Sequence, residues 1–312
     1  MTIKGTTQLL GVIGYPVKHS FSPLMHNAAI AHLQKTGPAD YVYLPFPIHP
    51  DNLENAIVGF KAIGLRGFNI TIPHKQTIIP LLDEVSEVAK AIGAVNTVWY
   101  GDHSNGDRST DDHSNHSKRE LGWCGTNTDA VGFLSPLKAL KQDWTSTRAI
   151  VLGNGGASRA VVAACHQLGC KRISVVGRDL EKLAWFAESW AHSPDIAARL
   201  KVMTWDELPA QLYKAGLIVN ATPVGMHPEV DASVLSDEEI GLLNKDAIAY
   251  DLIYTPRPTK FLQLAAAAGL TTVDGLEMLV QQGAAALEIW LDRPAPIDVM
   301  RRSLLEHLAQ SL

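Results

Sequence analysis

The chain has 312 residues, of which 46% are hydrophobic and 19% are charged, a composition typical of a globular protein and too apolar for a disordered one. The formal charge of −5 argues against a nucleic-acid partner, and no apolar run reaches the roughly 18 residues of a transmembrane helix. The three cysteines, Cys124, Cys165 and Cys170, form no metal or disulfide spacing. We therefore expect a cytoplasmic protein of about two domains, with neither a nucleic-acid nor a membrane partner.

Short apolar runs alternate with longer helical patterns along the chain, which predicts α/β architecture with largely parallel sheets. In the first part, the strand-like segments are QLLGVIGY, YVYLPFPI, LRGFNITI, AVNTVWY and WCGTNT. Helical patterns are expected at about 22–35, 53–63 and 78–91. Residues 102–120 contain no aliphatic side chain and predict a solvated loop.

The second part begins with a strand, a Gly-rich turn and a helix, in the sequence RAIVLGNGGASRAVVAACHQLG. The strand-like segments that follow are RISVVGR, KVMTW, GLIVNAT, AIAYDLI and TTVD. Helical patterns cover LEKLAWFAESW and about 260–268, 277–291 and 297–308. We place the domain boundaries near residues 131 and 275.

The Gly-rich turn, residues 153–158 (GNGGAS), lies between a strand-like run and a helical run, which is the context that phosphate binding requires. Glycines let the backbone approach a pyrophosphate, and the helix N-terminus supplies N–H groups and partial positive charge. Ser158 replaces the third glycine of the usual fingerprint, and the alternative is a tight turn without a ligand. The context favours dinucleotide binding.

The strand after this turn ends at Gly177 and Arg178, with Lys182 one helical turn further on. An NAD-binding domain normally has Asp or Glu near this point, whereas a basic pair suits the 2′-phosphate of NADP. The alternatives are that both basic side chains are solvated, or that Asp179 opposes the phosphate with its own charge. The basic pair favours NADP over NAD.

Polar residues also follow strand-like runs in the first part of the chain. Ser20 and Ser22 could hold a carboxylate or a polyol, although Ser22 before Pro23 also fits a helix N-cap. Asn69 and Thr71 alternate with isoleucines and therefore share one face of a strand.

Lys75 follows the proline that ends this strand, where it could bind and protonate an oxygen, although most lysines are solvated. His74 could be an ordinary surface residue. Two further clusters are Asn96-Thr97 and Asn127-Thr128-Asp129. Asp129 begins a predicted helix, so it either complements the helix dipole or forms an acid/base pair with Lys75.

In combination these residues resemble the shikimate dehydrogenase family, and the resemblance runs through nearly the whole chain. The matching motifs are the pair Ser20 and Ser22, the Asn-x-Thr-x-Pro-x-Lys run of residues 69–75, the Asn-Thr pairs at 96–97 and 127–128, and the Gly-rich turn at 153–157. Later matches are NATPVGM at 220–226, YDLIYTP at 250–256, and Gly275 ahead of MLVQQ at 278–282.

The resemblance implies reversible NADPH-dependent reduction of 3-dehydroshikimate to shikimate, a step towards chorismate and the aromatic amino acids. It implies Lys75 and Asp129 as the catalytic pair. The substrate-binding residues that it implies are Ser20, Ser22, Thr71, Asn96, Tyr254 and Gln282. The cofactor-binding residues that it implies are Gly153, Asn154, Gly155, Gly156, Ala157, Arg178, Lys182, Leu252, Gly275 and, by position, Glu87.

The expected architecture is an N-terminal α/β substrate domain, residues 1–130 plus 276–312, and a Rossmann-type NADP-binding domain with an open, largely parallel sheet, residues 131–275. The protein is expected to be a monomer or a homodimer. Two departures from the family pattern stand out: Asn-Arg-Thr is replaced by Gly177-Arg178-Asp179, and the loop 102–120 is longer than usual. His103, His113 and His116 of this loop could hold a metal, but so polar a stretch favours a solvated insertion, and no metal is predicted.

Three other functions are considered. A quinate/shikimate dehydrogenase with relaxed use of NAD and NADP is the nearest, and Ser20 favours shikimate over quinate. A non-catalytic binding or regulatory protein on the same scaffold should lack Lys75 or Asp129, and both are present. A folate-linked dehydrogenase does not explain the serine pair.

Overall fold

The computed structural model describes residues 2–102 and 121–310. The chain forms two compact units, Met1–Thr128 with Gly283–Leu312, and Asp129–Gln282. The second unit begins two residues before residue 131 and ends seven residues after residue 275, where the domain boundaries are expected, and the ligand of each domain stays a prediction. Within the described ranges, no helix combines the length and the apolar character needed to cross a membrane.

The elements of the first half, in chain order, are β1 (Gln8–Gly14), α1 (Ser22–Thr36), β2 (Tyr41–Pro47), α2 (Leu53–Ala62), β3 (Gly67–Ile70), β4 (Glu84–Val85), α3 (Glu87–Ile92), β5 (Thr97–Asp102) and β6 (Leu121–Thr126). They are followed by α4 (Asp129–Ala139), β7 (Arg148–Leu152), α5 (Gly156–Gln167), β8 (Arg172–Gly177), α6 (Leu180–Glu188), α7 (Pro194–Ala197), β9 (Leu200–Thr204), α8 (Pro209–Leu212), β10 (Leu217–Asn220), α9 (Asp237–Gly241), β11 (Ile248–Asp251), α10 (Lys260–Ala267), β12 (Thr271–Val273), α11 (Gly275–Leu291) and α12 (Ile297–Gln310).

The first unit is built on a mixed sheet with the strand order β2-β1-β3-β5-β6-β4. β1 is parallel to β2 and β3, whereas β5 is antiparallel to both β3 and β6. β1 is buried on both faces because helices cover this sheet, which explains its nearly continuous apolar sequence. Aromatic and branched side chains fill the core, among them Ile13, Phe60, Phe68, Val98 and Trp123.

The second unit is built on a sheet with the order β12-β11-β10-β7-β8-β9, and each adjacent pair in it is parallel. In chain order from β7 this is the 3-2-1-4-5-6 arrangement of dinucleotide-binding folds, and the order reverses between β7 and β10. Its core includes Leu152, Val176, Ile218, Ala249 and Phe261. The expected α/β class with a Rossmann-type, parallel second sheet is confirmed.

The helix expected over 78–91 is wrong. The structure has a 3₁₀ turn at Ile79–Leu81, the two-residue strand β4 and then the short helix α3. Pro80 lies inside the turn and cannot donate a helical hydrogen bond. The Ser86 side chain accepts a hydrogen bond from the backbone N–H of Ala89, so a new helix begins there.

The loop predicted at 102–120, with His103, His113 and His116, lies outside the described residues except for Asp102, where β5 ends. In the part of the chain that the structure describes, no group of three or more His, Cys, Asp or Glu side chains is arranged to hold a metal ion.

Candidate active site

Sheet topology brings the polar motifs of the first unit to one edge. The parallel strands β1 and β3 end at the same edge, and the antiparallel strand β5 begins there, with Asn69 opposite Thr97. The backbone N–H of Ile70 donates to the Asn96 carbonyl at 2.8 Å. Residues that are distant in sequence therefore meet at this strand edge, where ligands of α/β sheets bind.

The two serines lie at the start of α1, but Ser22 is not its N-cap, so that interpretation is wrong. Ser22 is already helical, and the capping position belongs to Phe21, whose side chain forms no cap hydrogen bond. The Ser20 hydroxyl accepts a hydrogen bond from the backbone N–H of Ser22 at 3.3 Å. The Ser22 side chain is buried and hydrogen-bonds Tyr43.

A buried chain of hydrogen bonds continues from Tyr43 through Asn69. The Tyr43 hydroxyl donates to Asn69 Oδ1 at 2.7 Å, and Asn69 Nδ2 donates to Thr97 Oγ1 at 3.2 Å. Tyr43 is fully buried, and burial raises the pKa of its hydroxyl well above its usual value. Sequence reasoning missed Tyr43, because it lies in an apolar strand and its partner is 26 positions away.

The two Asn-Thr pairs, residues 96–97 and 127–128, are hydrogen-bonded to each other. Asn96 Oδ1 accepts hydrogen bonds from the Thr128 backbone N–H at 2.8 Å and from Thr97 Oγ1 at 2.9 Å. Asn127 Nδ2 donates to the Ala94 carbonyl at 2.9 Å. These contacts fix the backbone immediately before Asp129, which is the first residue of α4 and is buried.

Lys75 follows a turn that is held in place by backbone hydrogen bonds. Its carbonyl accepts the N–H of Val95 at 2.7 Å, and the His74 N–H donates to the Thr71 carbonyl at 3.0 Å. The His74 ring is buried, with Nε2 2.8 Å from the Ile48 carbonyl, so the surface-residue interpretation of His74 is wrong. Lys75 and Thr71 themselves are partly exposed at this edge.

His26 is a buried residue of α1 that was not among the candidates from the sequence. Its ring stacks on Tyr43 with centroids 4.2 Å apart. Its Nδ1 and Nε2 atoms lie 2.9 Å and 3.2 Å from the carbonyls of Ser22 and Gly283. Complete burial lowers the pKa of His26 to about 4, so the imidazole is neutral at physiological pH.

In the second unit, the Gly-rich turn joins the end of β7 to the start of α5. Gly153 has φ of +101°, and a Cβ there would lie 2.9 Å from Thr222 Cγ2, so this position needs glycine. A Cβ on Gly155 would meet open space, and α5 begins at the next residue without a side-chain cap. Open space in front of exposed helix N–H groups fits a pyrophosphate. Asn154 and Ala157 are partly exposed in the same segment.

The end of β8 lies beside this turn. The Gly153 N–H donates to the Val176 carbonyl at 2.8 Å, and a Cβ on Gly177 would lie 3.2 Å from Asn154 Cγ. Arg178 and Lys182 are exposed. Asp179 is the N-cap of α6, a role that the sequence analysis did not consider.

Leu252 and Gly275 are adjacent in space. A Cβ on Gly275 would overlap the Leu252 carbonyl, and the Gly275 N–H donates to the Ile253 carbonyl at 3.1 Å. Directly before Leu252, at the end of β11, lies the buried Asp251, which belongs to one of the matching motifs but was given no role from the sequence. Its carboxylate accepts hydrogen bonds from Asn220 Nδ2 at 3.0 Å and Thr259 Oγ1 at 2.7 Å. Burial raises the pKa of Asp251 to about 6 despite these hydrogen bonds.

The remaining expected site residues lie in three places. Tyr254 follows β11, and burial raises the pKa of its hydroxyl. Gln282 is buried in α11, where Nε2 donates to the Leu279 carbonyl at 2.9 Å. Glu87 is exposed at the start of α3, in the first unit, with an oxygen 2.8 Å from Lys90 Nζ.

A parallel sheet of this order, a glycine-lined turn before an open helix N-terminus and a second α/β unit with polar strand ends define a dinucleotide-dependent oxidoreductase. Residues 12–98 match the shikimate dehydrogenase substrate binding domain, and residues 275–305 match the shikimate 5′-dehydrogenase C-terminal domain. The chain is 56% identical over 308 residues to a protein of Trichormus variabilis named shikimate dehydrogenase (NADP(+)), covering 98% of this chain and 99% of that protein. The chain belongs to the shikimate dehydrogenase family.

Solved structures support the same assignment. A shikimate dehydrogenase crystallised in complex with NADP+ has a TM-score of 0.84 and 34% identity, with 98% of each chain covered. The enzyme of Thermus thermophilus in complex with NADP(H) and shikimate has a TM-score of 0.77 and 32% identity, covering 98% of this chain and 100% of that one.

Proposed function

We propose that the chain catalyses the reversible NADPH-dependent reduction of 3-dehydroshikimate to shikimate, in the synthesis of chorismate and the aromatic amino acids. The observation that carries this proposal is the 56% identity over 98% of the chain to a protein named shikimate dehydrogenase (NADP(+)). The polar strand ends of the first unit and the glycine-lined turn of the second support it independently. We further propose that the reaction is cytoplasmic and that the protein is a monomer or a homodimer.

Substrate binding is assigned to hydroxyl and amide groups at the strand edge of the first unit. Ser20 and Ser22 bind the carboxylate, for which hydroxyl groups beside a helix N-terminus are suited. Thr71 and Asn96 contact the ring hydroxyls or the carboxylate, and Asn96 is held in place by Thr97 and Thr128. Tyr254 and Gln282 are the remaining residues proposed to contact the substrate.

The proposed chemistry needs a proton for the oxygen of the ketone. When bound, NADPH supplies the hydride that reduces the carbon. Lys75 stabilises the charge that develops on the oxygen and delivers the proton to it. Asp129 accepts a hydrogen bond from the neighbouring hydroxyl of the substrate and acts with Lys75 as the acid/base pair.

NADP binding is assigned mainly to the second unit. Residues 153–157 hold the pyrophosphate, for which Gly155 leaves open space before the N-terminus of α5. Arg178 and Lys182 bind the adenosine 2′-phosphate, and Leu252 and Gly275 lie against the nicotinamide. Glu87 is also proposed as a cofactor-binding residue.

The test is the initial rate, followed by nicotinamide absorbance, with shikimate and with quinate, each paired with NADP and with NAD. Fast turnover with shikimate and NADP alone is the expected result. Comparable rates with quinate would move the chain to the quinate-using branch of the family. Absence of turnover in every pairing would overturn the proposal in favour of a binding protein on the same scaffold.

A further inference from the structure

The carboxylate of Asp179 caps the N-terminus of α6. Asp179 Oδ1 accepts hydrogen bonds from the backbone N–H groups of Glu181 at 3.0 Å and Lys182 at 3.1 Å. Asp179 Oδ2 lies 3.5 Å from Lys182 Nζ. The hydrogen bond from the Lys182 backbone is the largest cause that lowers the pKa of Asp179, so the carboxylate is charged at neutral pH.

This anion lies next to the end of the strand where the adenosine ribose is expected. Asp179 is two residues beyond Gly177, whose Cα packs so closely on Asn154 of the Gly-rich turn that a Cβ would lie 3.2 Å from Asn154 Cγ. Arg178 stands between them in sequence and is exposed. The three charges of this segment, Arg178, Asp179 and Lys182, therefore follow directly on the strand end that packs against the Gly-rich turn.

We propose that Asp179 is a specificity-determining residue that weakens binding of the 2′-phosphate of NADP and so limits the discrimination between NADP and NAD. The inference rests on the proposed function, because it takes the 2′-phosphate to lie at Arg178 and Lys182. Asp179 neutralises part of the Lys182 charge and places a negative charge of its own beside the phosphate, and both effects weaken the attraction that Arg178 and Lys182 offer to the phosphate.

The effect of Asp179 on binding affinity should differ between NADP and NAD. A phosphate monoester carries about −1.5 to −2 charges at neutral pH, so a nearby carboxylate repels it. The 2′-hydroxyl of NAD is neutral, and a carboxylate at this position can accept a hydrogen bond from it. Asp179 therefore lowers affinity for NADP while leaving affinity for NAD unchanged or raising it.

The test compares D179N and D179S with the wild-type protein by calorimetric titration of adenosine 2′,5′-bisphosphate and of 5′-AMP. Asn and Ser both cap helices, so the start of α6 is retained. We expect roughly three- to tenfold tighter binding of the bisphosphate, with 5′-AMP unchanged or weaker. In both variants, the ratio of kcat/KM for NADP to kcat/KM for NAD should rise by the same factor.

The matched control is E181Q, which removes an exposed carboxylate two residues further along the same helix. It should change bisphosphate binding by less than about twofold. Raising the salt concentration should narrow the difference between wild type and D179N, because exposed charges are screened.

Unchanged bisphosphate binding in both Asp179 variants would overturn the inference, as would an equal gain in E181Q. Failure of both ligands to bind any of the proteins would also overturn it. If the proposed function alone were wrong, the wild-type protein would show no turnover with shikimate and NADP, whereas the difference between the two adenosine ligands would remain.

Discussion

The buried side chain of His26 makes the stability of the first unit depend on pH. Both ring nitrogens face backbone carbonyls, and burial lowers the pKa of the ring from 6.5 to about 4. The unfolded chain therefore binds a proton near pH 6.5, whereas the folded protein does not bind it until about pH 4. The stability that this group contributes is complete above pH 6.5 and is lost as the pH falls towards 4, a loss on the order of 3 kcal/mol.

We expect H26Q to be less stable than the wild type at pH 7.5 but to lose less stability between pH 6.5 and 4.5. The measurement is the free energy of unfolding in urea at several pH values. H32Q, an exposed histidine on the same helix, is the control and should keep the wild-type slope. Asp251, whose pKa burial raises to about 6, has the opposite effect on the free energy of unfolding. Its contribution to stability is complete below pH 3.8 and is lost as the pH rises towards 6. An H26Q slope equal to that of the wild type would contradict the prediction.

Lys75 is the residue on which the proposed proton transfer depends. Its backbone is fixed by Val95, so K75A should remove the amine without moving the turn. We expect kcat to fall on the order of 10²- to 10⁴-fold with a smaller change in KM for shikimate. K61A, an exposed lysine of α2, is the control and should keep wild-type rates. Near-normal turnover by K75A would remove Lys75 from the mechanism.

At the scale of elements, the turn between β7 and α5 depends on two glycines for different reasons. Gly153 needs its positive φ and has no room for a Cβ. Gly155 has extended backbone, with φ of −83° and ψ of −170°, and open space around it. One glycine therefore serves the fold, and the other keeps space free for a ligand.

G153A and G155A separate these two roles. G153A should lose about 1–3 kcal/mol of stability, because its backbone conformation is strained for alanine. G155A should stay within about 0.5 kcal/mol of the wild type but bind NADPH more weakly, since its methyl group occupies the space proposed for the pyrophosphate. Urea unfolding and NADPH fluorescence titration measure the two effects. Equal stability of both variants, or unchanged NADPH binding by G155A, would contradict this division.

At the scale of the whole molecule, the chain places its two sets of polar strand ends in separate compact units. The Gly-rich turn and the β8 end belong to one, and the serines, Asn69 and Asn96 to the other. Each unit has its own sheet and its own apolar core. A ligand that binds only one set should therefore protect that unit first.

Adenosine 2′,5′-bisphosphate should slow hydrogen exchange in β7, α5, β8 and the start of α6, whereas its effect on β1, α1 and β3 should be small. The measurement is hydrogen–deuterium exchange followed by mass spectrometry, with 5′-AMP as the comparison ligand. Protection that is strongest in the first unit would contradict the proposed assignment of the cofactor to the second.

Local patterns in the sequence were enough to predict the fold class. The alternation of short apolar runs with helical patterns predicts a parallel sheet, because buried parallel strands and amphipathic helices differ in period. The strand–turn–helix of residues 148–167 could be read directly, since its glycines lie beside one another in sequence. Prediction failed over 78–91, where Pro80 and the Ser86 cap divide an apolar segment that looks helical.

The sequence by itself therefore determined the α/β class and the Gly-rich turn between a strand and a helix, because each depends on neighbours within a few positions, and the family resemblance supplied the candidate residues. Only the tertiary structure decided how those residues are held. Tyr43 meets Asn69, and Asn96 meets Thr128, across 26 and 32 positions of sequence. Such pairs form when strands are placed side by side in a sheet, and no local spacing encodes which strands become neighbours.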